Sequence, residues 1–122
     1  MQTLVMLKKT DEFSSVFSFR KRISSHFFVV HYKPNTSQPM RVGFVVAKKV
    51  AKQAVERNYM RRVMREVCRH GLTINVAADL VIQVHKKFVH QDFIQVNHEL
   101  NVIVGKIKQR LNAEYQKNID IL

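Results

Sequence analysis

The pattern of apolar and polar positions predicts three β-strands. Residues 27–32 and 41–47 are rich in aromatic and β-branched side chains. Residues 33–39 between them contain both prolines and several turn formers, so we expect a β-hairpin with a long loop. A third apolar run, residues 79–85, is typical of a central strand that is buried on both faces.

Helical spacing of apolar residues predicts three helices. The first is short: Thr10 is expected to cap it, Asp11 and Glu12 suit its positive first turn, and its apolar residues share one face. These apolar residues are Phe13, Val16 and Phe17. The second helix covers about residues 54–69.

The third helix is expected to begin near Asp92, whose spacing to Gln95 resembles a capping box. Its apolar positions recur every three or four residues: Phe93, Val96, Leu100, Ile103, Ile107 and Leu111. The resulting order αββαβα predicts an α+β protein, a two-layer α/β sandwich with helices on a small mixed sheet. We expect residues 1–122 to form a single domain, because the chain is short and has no linker or repeat.

Charge adds a class of partner to this picture. The chain has 21 Lys and Arg against nine Asp and Glu, a formal net charge of +12. Residues 41–70 carry nine basic and two acidic side chains, more than half of the excess. Such a concentration attracts polyanions, of which nucleic acid is the first to consider. Net charge alone also allows an acidic membrane or protein surface.

Cysteine content and hydropathy indicate a cytoplasmic protein. Cys68 is the single cysteine, which rules out an internal disulfide and suits a reducing compartment; we expect it to be buried. The first residues lack the apolar run and cleavage site of a secretory signal. No stretch approaches the roughly 20 apolar residues of a membrane-spanning helix, so no membrane partner is expected.

A helical wheel divides residues 54–69 into an apolar and a cationic side. The apolar side comprises Met60, Val63, Met64 and Val67. The other side, here called the basic face, comprises Asn58, Arg61, Arg62, Arg65 and Arg69. Any buried helix shows a polar face to water, but a solubilising face mixes signs. Here the only acidic residues are Glu56 and Glu66, near the edges of the basic face. The forked guanidinium group of arginine also suits bidentate contacts with phosphate.

Cations also gather at the start of this helix. Arg57 lies near its N-terminus, and Lys48, Lys49 and Lys52 precede it. The helix macrodipole disfavours cations at this end, so they cost stability unless an anion is present. A phosphate backbone meets that need, because helix N-termini and cationic side chains both favour it. We therefore predict polyanion binding through this helix.

These residues resemble the ribonuclease P protein family. Residues 41–50 are similar to the family's strand that ends in paired lysines, and residues 54–66 to its arginine–asparagine–arginine helix. Residues 7–17 match the family's opening, and residues 79–82 fit the strand after the helix. The resemblance runs from about residue 7 to residue 84, and more loosely over the last helix.

Two positions depart from the family pattern. Tyr59 stands where the motif usually has its second arginine, so one expected phosphate contact is absent or replaced by stacking. Ala51 stands where a glycine is usual before the helix, so the turn there is expected to differ slightly.

The resemblance implies a subunit of ribonuclease P, the endoribonuclease that removes the 5′ leader from precursor tRNA. It implies that the RNA subunit supplies the active site and binds Mg²⁺, and that this chain has no catalytic, metal or cofactor residues. The implied partners are ribonuclease P RNA and the precursor tRNA 5′ leader, in a heterodimer of one RNA and one protein. It also implies a left-handed βαβ crossover through the basic helix, where general rules favour a right-handed one.

Two RNA-facing surfaces follow from the resemblance. Residues expected to contact the catalytic RNA are Lys48, Lys49, Lys52, Arg57, Asn58, Arg61, Arg62, Arg65 and Arg69. A cleft between the first helix and the sheet would hold the leader, with Phe13, Phe17 and His31 as its residues. Helical spacing alone favours a position in the core for the rings of Phe13 and Phe17. Phe27 and Phe28 lie on opposite faces of a strand, so at most one is expected to reach RNA.

The residues themselves give no sign of a protein catalyst. The six histidines and nine carboxylates form no recurring motif, and Cys68 with His70 lacks a second ligand pair. Two alternatives remain open at this point. A general RNA-binding or ribosome-associated protein would not distinguish precursor from mature tRNA. A DNA-binding protein would respond to competition by duplex DNA, although the basic helix lacks an obvious helix-turn-helix partner.

Overall fold

A five-stranded mixed sheet with three helices makes up the fold. The computed structural model describes residues 5–35, 40–70 and 77–121. The strands are β1 Val5–Met6, β2 Lys21–Ser24, β3 Phe28–Pro34, β4 Arg41–Val46 and β5 Ala78–Val84. The helices are α1 Thr10–Ser18, α2 Ala54–His70 and α3 Phe93–Ile121, the last preceded by a 3₁₀ turn, His90–Asp92. The α+β class and the three helices are confirmed, and the short strands β1 and β2 are added to the predicted order.

The strand order is β1-β4-β5-β3-β2, so the predicted hairpin between β3 and β4 is wrong. β5 lies between them, antiparallel to β3 and parallel to β4. All of β5 except Gln83 is buried, and a strand of this kind needs a neighbour on each side. The hairpin partner of β3 is β2. Residues 36–39 of the predicted loop lie outside the described residues.

The β4–α2–β5 connection joins two adjacent parallel strands, as a βαβ unit does. The left-handed sense that the family resemblance implies for this unit stays a prediction.

Helices α2 and α3 cover one face of the sheet and form the main core with it. The buried side chains of α2 include all four that the helical wheel placed inward: Met60, Val63, Met64 and Val67. Cys68 is buried beside them, as expected, and this burial raises the pKa of its thiol to about 12. Its thiol therefore stays protonated at neutral pH and packs as a small apolar group.

The inner side of α3 also follows the predicted spacing, with one exception. Val96, Leu100, Ile103 and Ile107 are buried, and Leu111 packs against the same core. Phe93, the first residue of the helix after the 3₁₀ turn, is 42% exposed. The predicted capping pair is also wrong: the Asp92 carboxylate accepts from the Val89 N–H at 2.9 Å, whereas Gln95 donates to Glu99.

Helix α1 packs on the opposite face of the sheet and covers only part of it. Leu7, Val16 and Val81 form a small second core there, against which Phe13 and Val45 pack. The predicted cap is wrong, because the helix already begins at Thr10. Glu12 satisfies the helix start instead: its Oε1 accepts from the N–H groups of Lys8 and Lys9 at 3.0 and 2.9 Å.

Candidate nucleic-acid interface

Helix α2 presents the basic face to solvent because its opposite side is fixed in the core. Met60 and Met64 are fully buried, which sets the rotation of the helix about its axis. Consequently the side chains of the basic face are exposed, apart from Arg61, which is half-buried. The wheel therefore placed four of the five side chains correctly with respect to solvent, and Arg61 is the exception.

The side chains of the basic face differ in how many internal partners they have. Arg61 Nη1 donates to Asn58 Oδ1 at 3.0 Å, and Arg69 lies 3.6 Å from the Glu66 carboxylate. Arg62 and Arg65 form no side-chain hydrogen bond or ion pair within the described part of the chain. Their guanidinium groups are therefore free to donate to an external acceptor such as a phosphate.

Arg57 has a structural partner that sequence reasoning missed. Its Nη1 donates to the carbonyl oxygens of Ala51 and Lys52, at 2.9 and 2.8 Å, so it ties down the turn before α2. Ala51 is buried, and among the described non-glycine residues only Arg20 has a positive φ. The alanine in place of the family's glycine is thus accommodated without left-handed backbone.

Three lysines extend the basic face beyond the start of α2. Lys48, Lys49 and Lys52 are all exposed in the connection between β4 and α2. No hydrogen bond or ion pair engages their side chains among the described residues. Together with Arg62 and Arg65 they form a cationic surface without internal neutralisation.

The three residues predicted for the cleft lie at α1 and the sheet face under it, but in two different environments. The rings of Phe17 and His31 meet edge to face with 4.6 Å between centroids, and Phe17 is 38% exposed. Phe13 instead packs inward over Gly43, where a Cβ atom would overlap its ring. Phe17 is therefore the most exposed of the three rings, whereas Phe13 and His31 are half-buried.

The floor of the cleft continues along the sheet from His31. His31 Nε2 lies 3.1 Å from Oε1 of Gln83. Gln83 pairs across the strands with Val29 on one side and Val45 on the other, and all three are half-buried. β4 ends one residue beyond Val45, so Val29, Gln83 and Val45 lie near one end of the strands. At this end the chain leaves β4 and continues to Lys48 and Lys49.

A polar network fixes the other end of α1 to the sheet. Arg41 donates to both oxygens of the buried Asp79, at 3.0 and 2.7 Å, and also to Glu12 of α1. Asn35 donates to Asp79 at 3.0 Å, and Lys33 Nζ donates to Ser15 Oγ at 2.6 Å. The hydrogen bonds that Glu12 accepts from the backbone N–H groups of Lys9 and Lys8 lower the pKa of its carboxyl, and Arg41 lowers it further. This network holds α1 in place beside the cleft.

Neither of the paired phenylalanines reaches the surface. Phe27 is 4% and Phe28 0% exposed, and both pack against Phe88 with centroid separations of 5.9 and 5.8 Å. Phe27 lies before β3 begins, so strand alternation does not direct it outward. Both rings therefore belong to an aromatic core cluster, and the premise that Phe27 and Phe28 lie on opposite faces of one strand is wrong.

Within residues 5–35, 40–70 and 77–121, no three His, Cys, Asp or Glu side chains lie close enough together to hold a metal ion. Within the same ranges, no helix combines the length and apolar content needed to cross a membrane.

Comparison with known proteins identifies the family. The family model described as Ribonuclease P matches residues 1–108. The ribonuclease P protein component of Azoarcus sp. is 41% identical over 103 residues, covering 84% of this chain and 86% of that protein. The corresponding protein of Desulforamulus reducens is 33% identical over 111 residues, covering 90% and 97%.

Solved structures agree with this result. The ribonuclease P protein of Thermotoga maritima has a TM-score of 0.70 at 30% identity, covering 80% of this chain and 94% of that one. The Staphylococcus aureus protein has a TM-score of 0.74 at 22% identity, covering 87% and 97%, and supports the fold alone. By sequence and by fold, this chain belongs to the ribonuclease P protein family.

Proposed function

We propose that this chain assists a catalytic RNA in removing the 5′ leader of precursor tRNA, by binding both that RNA and the leader. Family membership gives it a role in ribonuclease P, a tRNA-processing ribonuclease. The observation that carries the finer proposal is the cationic surface of α2, where Arg62 and Arg65 are exposed and have no partner among the described residues.

The basic face would reduce the repulsion between two polyanions, the catalytic RNA and its substrate. Binding that neutralises about five phosphates releases counterions, so the logarithm of affinity should fall with the logarithm of salt at a slope of roughly −4. A wild-type slope near zero would contradict this electrostatic account.

The cleft would hold the single-stranded leader. Phe17 offers an aromatic ring that is 38% exposed, with His31 against it and a half-buried floor at Val29 and Gln83. Aromatic side chains bind unpaired bases of any sequence by stacking. A leader of varied sequence suits this kind of surface.

In this proposal the chemistry belongs to the RNA. The RNA would bind Mg²⁺ and hold the scissile phosphodiester, and this chain would place the substrate beside it without giving or taking a proton. The complex would consist of one RNA and one protein, in the cytoplasm.

The experiment that tests the proposal is cleavage of precursor tRNA by a bacterial ribonuclease P RNA at low Mg²⁺, with and without this protein. We expect stimulation that requires the RNA and no cleavage by the protein alone. Tight RNA binding without stimulation would leave only a basic RNA-binding protein. Equal binding of precursor and mature tRNA would likewise favour the general RNA-binding alternative.

The leader cleft makes a separate prediction. Phe17→Ala should weaken binding of precursor tRNA to the reconstituted complex by roughly 5- to 100-fold, because one stacked base is lost. Binding of mature tRNA, which has no leader, should not change. The comparison is made by titrating both tRNAs into the complex.

The matched control is Phe19→Ala. Phe19 is similarly exposed, at 41%, but lies two residues further, about 200° around the helix axis. Equal losses in the two variants, or equal losses for both tRNAs, would contradict a stacking role for Phe17.

A further inference from the structure

A groove lies beside the basic face, between the first turns of α2 and the segment that follows β5. It encloses about 330 Å³ and is lined by Val55, Glu56, Tyr59, Lys87, Phe88, Val89 and His90. Phe88 is 2% exposed and belongs to the main core, whereas Val55 and Val89 are 69% and 48% exposed. The groove thus has an aromatic residue of the core at its base and apolar residues exposed to solvent.

The charged groups of the groove largely cancel. Glu56 forms an ion pair with Lys87, and this contact lowers the pKa of the Glu56 carboxyl. An apolar group entering the groove therefore meets a paired carboxylate rather than a free one. Cations lie close outside: Arg62 is one helical turn beyond Tyr59 and has no partner among the described residues.

Tyr59 marks the boundary between the groove and the basic face. On the helical wheel it lies about 40° from Val55, with Arg62 about 20° on the other side of Val55. It is half-buried and packs against the main core. The ring is therefore fixed by core contacts while it also lines the groove.

We propose that this groove takes an unpaired nucleobase of the RNA that the basic face binds, with the base against Tyr59 and its phosphate at Arg62. A nucleotide joins a flat aromatic group to an anion, and the groove places an aromatic ring beside an unpaired guanidinium. The inference rests on the proposed function. A second copy of the chain fits less well, because each copy carries a net charge of +12.

The salt dependence of binding separates stacking from charge. Tyr59→Leu should bind ribonuclease P RNA roughly 5- to 100-fold more weakly at every salt concentration, with an unchanged salt slope. Tyr59→Phe should retain the affinity because it retains the ring. Tyr59→Arg should steepen the slope by about 0.7–0.9, because it adds a phosphate contact. Wild-type affinity in Tyr59→Leu would overturn the inference.

A second pair of variants protects the test against misfolding. Val89→Ser changes an exposed groove residue outside α2, and should also weaken binding without a change in slope or thermal midpoint. Val102→Ser, at a 39% exposed position of α3 that does not line the groove, is its matched control. Equal affinities in these two variants would overturn the inference even if Tyr59→Leu is unstable.

Photo-crosslinking identifies the occupant. A benzophenone amino acid in place of Tyr59 should crosslink ribonuclease P RNA at an unpaired nucleotide, and one in place of Val102 should not. Crosslinking of position 59 only to paired nucleotides, or only to a second protein chain, would overturn the inference.

Failure of the groove inference is distinct from failure of the proposed function. If the wild-type protein does not stimulate precursor tRNA cleavage, the proposed function is wrong. If it does stimulate cleavage but Tyr59→Leu and Val89→Ser bind RNA normally, only the groove inference is wrong.

Discussion

Replacing Arg62 and Arg65 together with alanine is expected to weaken binding of ribonuclease P RNA by roughly 10- to 100-fold at low salt. The slope of log affinity against log salt should become shallower by about two, because each phosphate contact that is lost means about one counterion fewer released on binding. The free energy of unfolding should change by less than about 1 kcal/mol, since both side chains are exposed and have no partner within the described ranges. Salt-dependent affinity and denaturant titrations of the same samples measure both effects.

A matched control distinguishes the basic face from net charge. Lys106→Ala plus Lys108→Ala removes the same two charges from exposed positions of α3. It should weaken binding far less than the α2 double variant. If both double variants lose the same affinity and slope, the RNA responds to the charge of the whole protein, and the proposed interface on α2 is wrong.

The basic face could be predicted from the sequence because helical periodicity determines both of its sides. Met60 and Met64 had to face the core, so Arg62, Arg65 and Arg69, which lie about 100° or more from both around the helix axis, had to face water. Arg57 shows where this reasoning stops. Its partners are two backbone carbonyls, Ala51 and Lys52, and their directions depend on a turn that apolar periodicity does not describe.

The order of the strands could not be obtained from local patterns. The runs that became β3 and β4 are separated by a segment whose sequence is rich in turn formers, which favours a hairpin, yet β5 lies between the two strands. The burial of β5 was predictable from its apolar run, but which strands flank it depends on packing over a long sequence separation. The two-residue strand β1 and the polar strand β2 carried too little pattern to be recognised.

The cleft illustrates the same limit at the level of single residues. Phe13 and Phe17 share a helical face, so spacing alone treats them alike. What separates them is the residue beneath each ring: Gly43 on β4 lets the Phe13 ring pack closely onto the strand, whereas the Phe17 ring meets the ring of His31 on β3. That distinction requires the positions of both strands under α1.

Asp79 is the residue whose loss should cost the most stability. It is 8% exposed, and it accepts two hydrogen bonds from Arg41 and one from Asn35. Asp79→Ala leaves the Arg41 guanidinium half-buried, with Glu12 as its remaining anionic partner among the residues that the structure describes. Because breaking a buried ion pair strands the remaining charge, we expect the free energy of unfolding to fall by about 2–4 kcal/mol. Denaturant titration at neutral pH measures it.

Three variants and one change of pH test whether the network causes this loss. Asp11→Ala, at an exposed position of α1, should cost less than about 1 kcal/mol. In a double-mutant cycle, Arg41→Ala should add little to the loss caused by Asp79→Ala, because the pair is already broken.

The lowered pKa of Glu12 means that its contribution to the free energy of unfolding is present above about pH 4.5 and is lost as pH falls through its folded-state value. Wild-type stability should therefore fall more steeply than that of Glu12→Gln below this pH. Additive losses in the cycle and parallel acid profiles would mean that Asp79 stabilises the fold without Arg41 and Glu12.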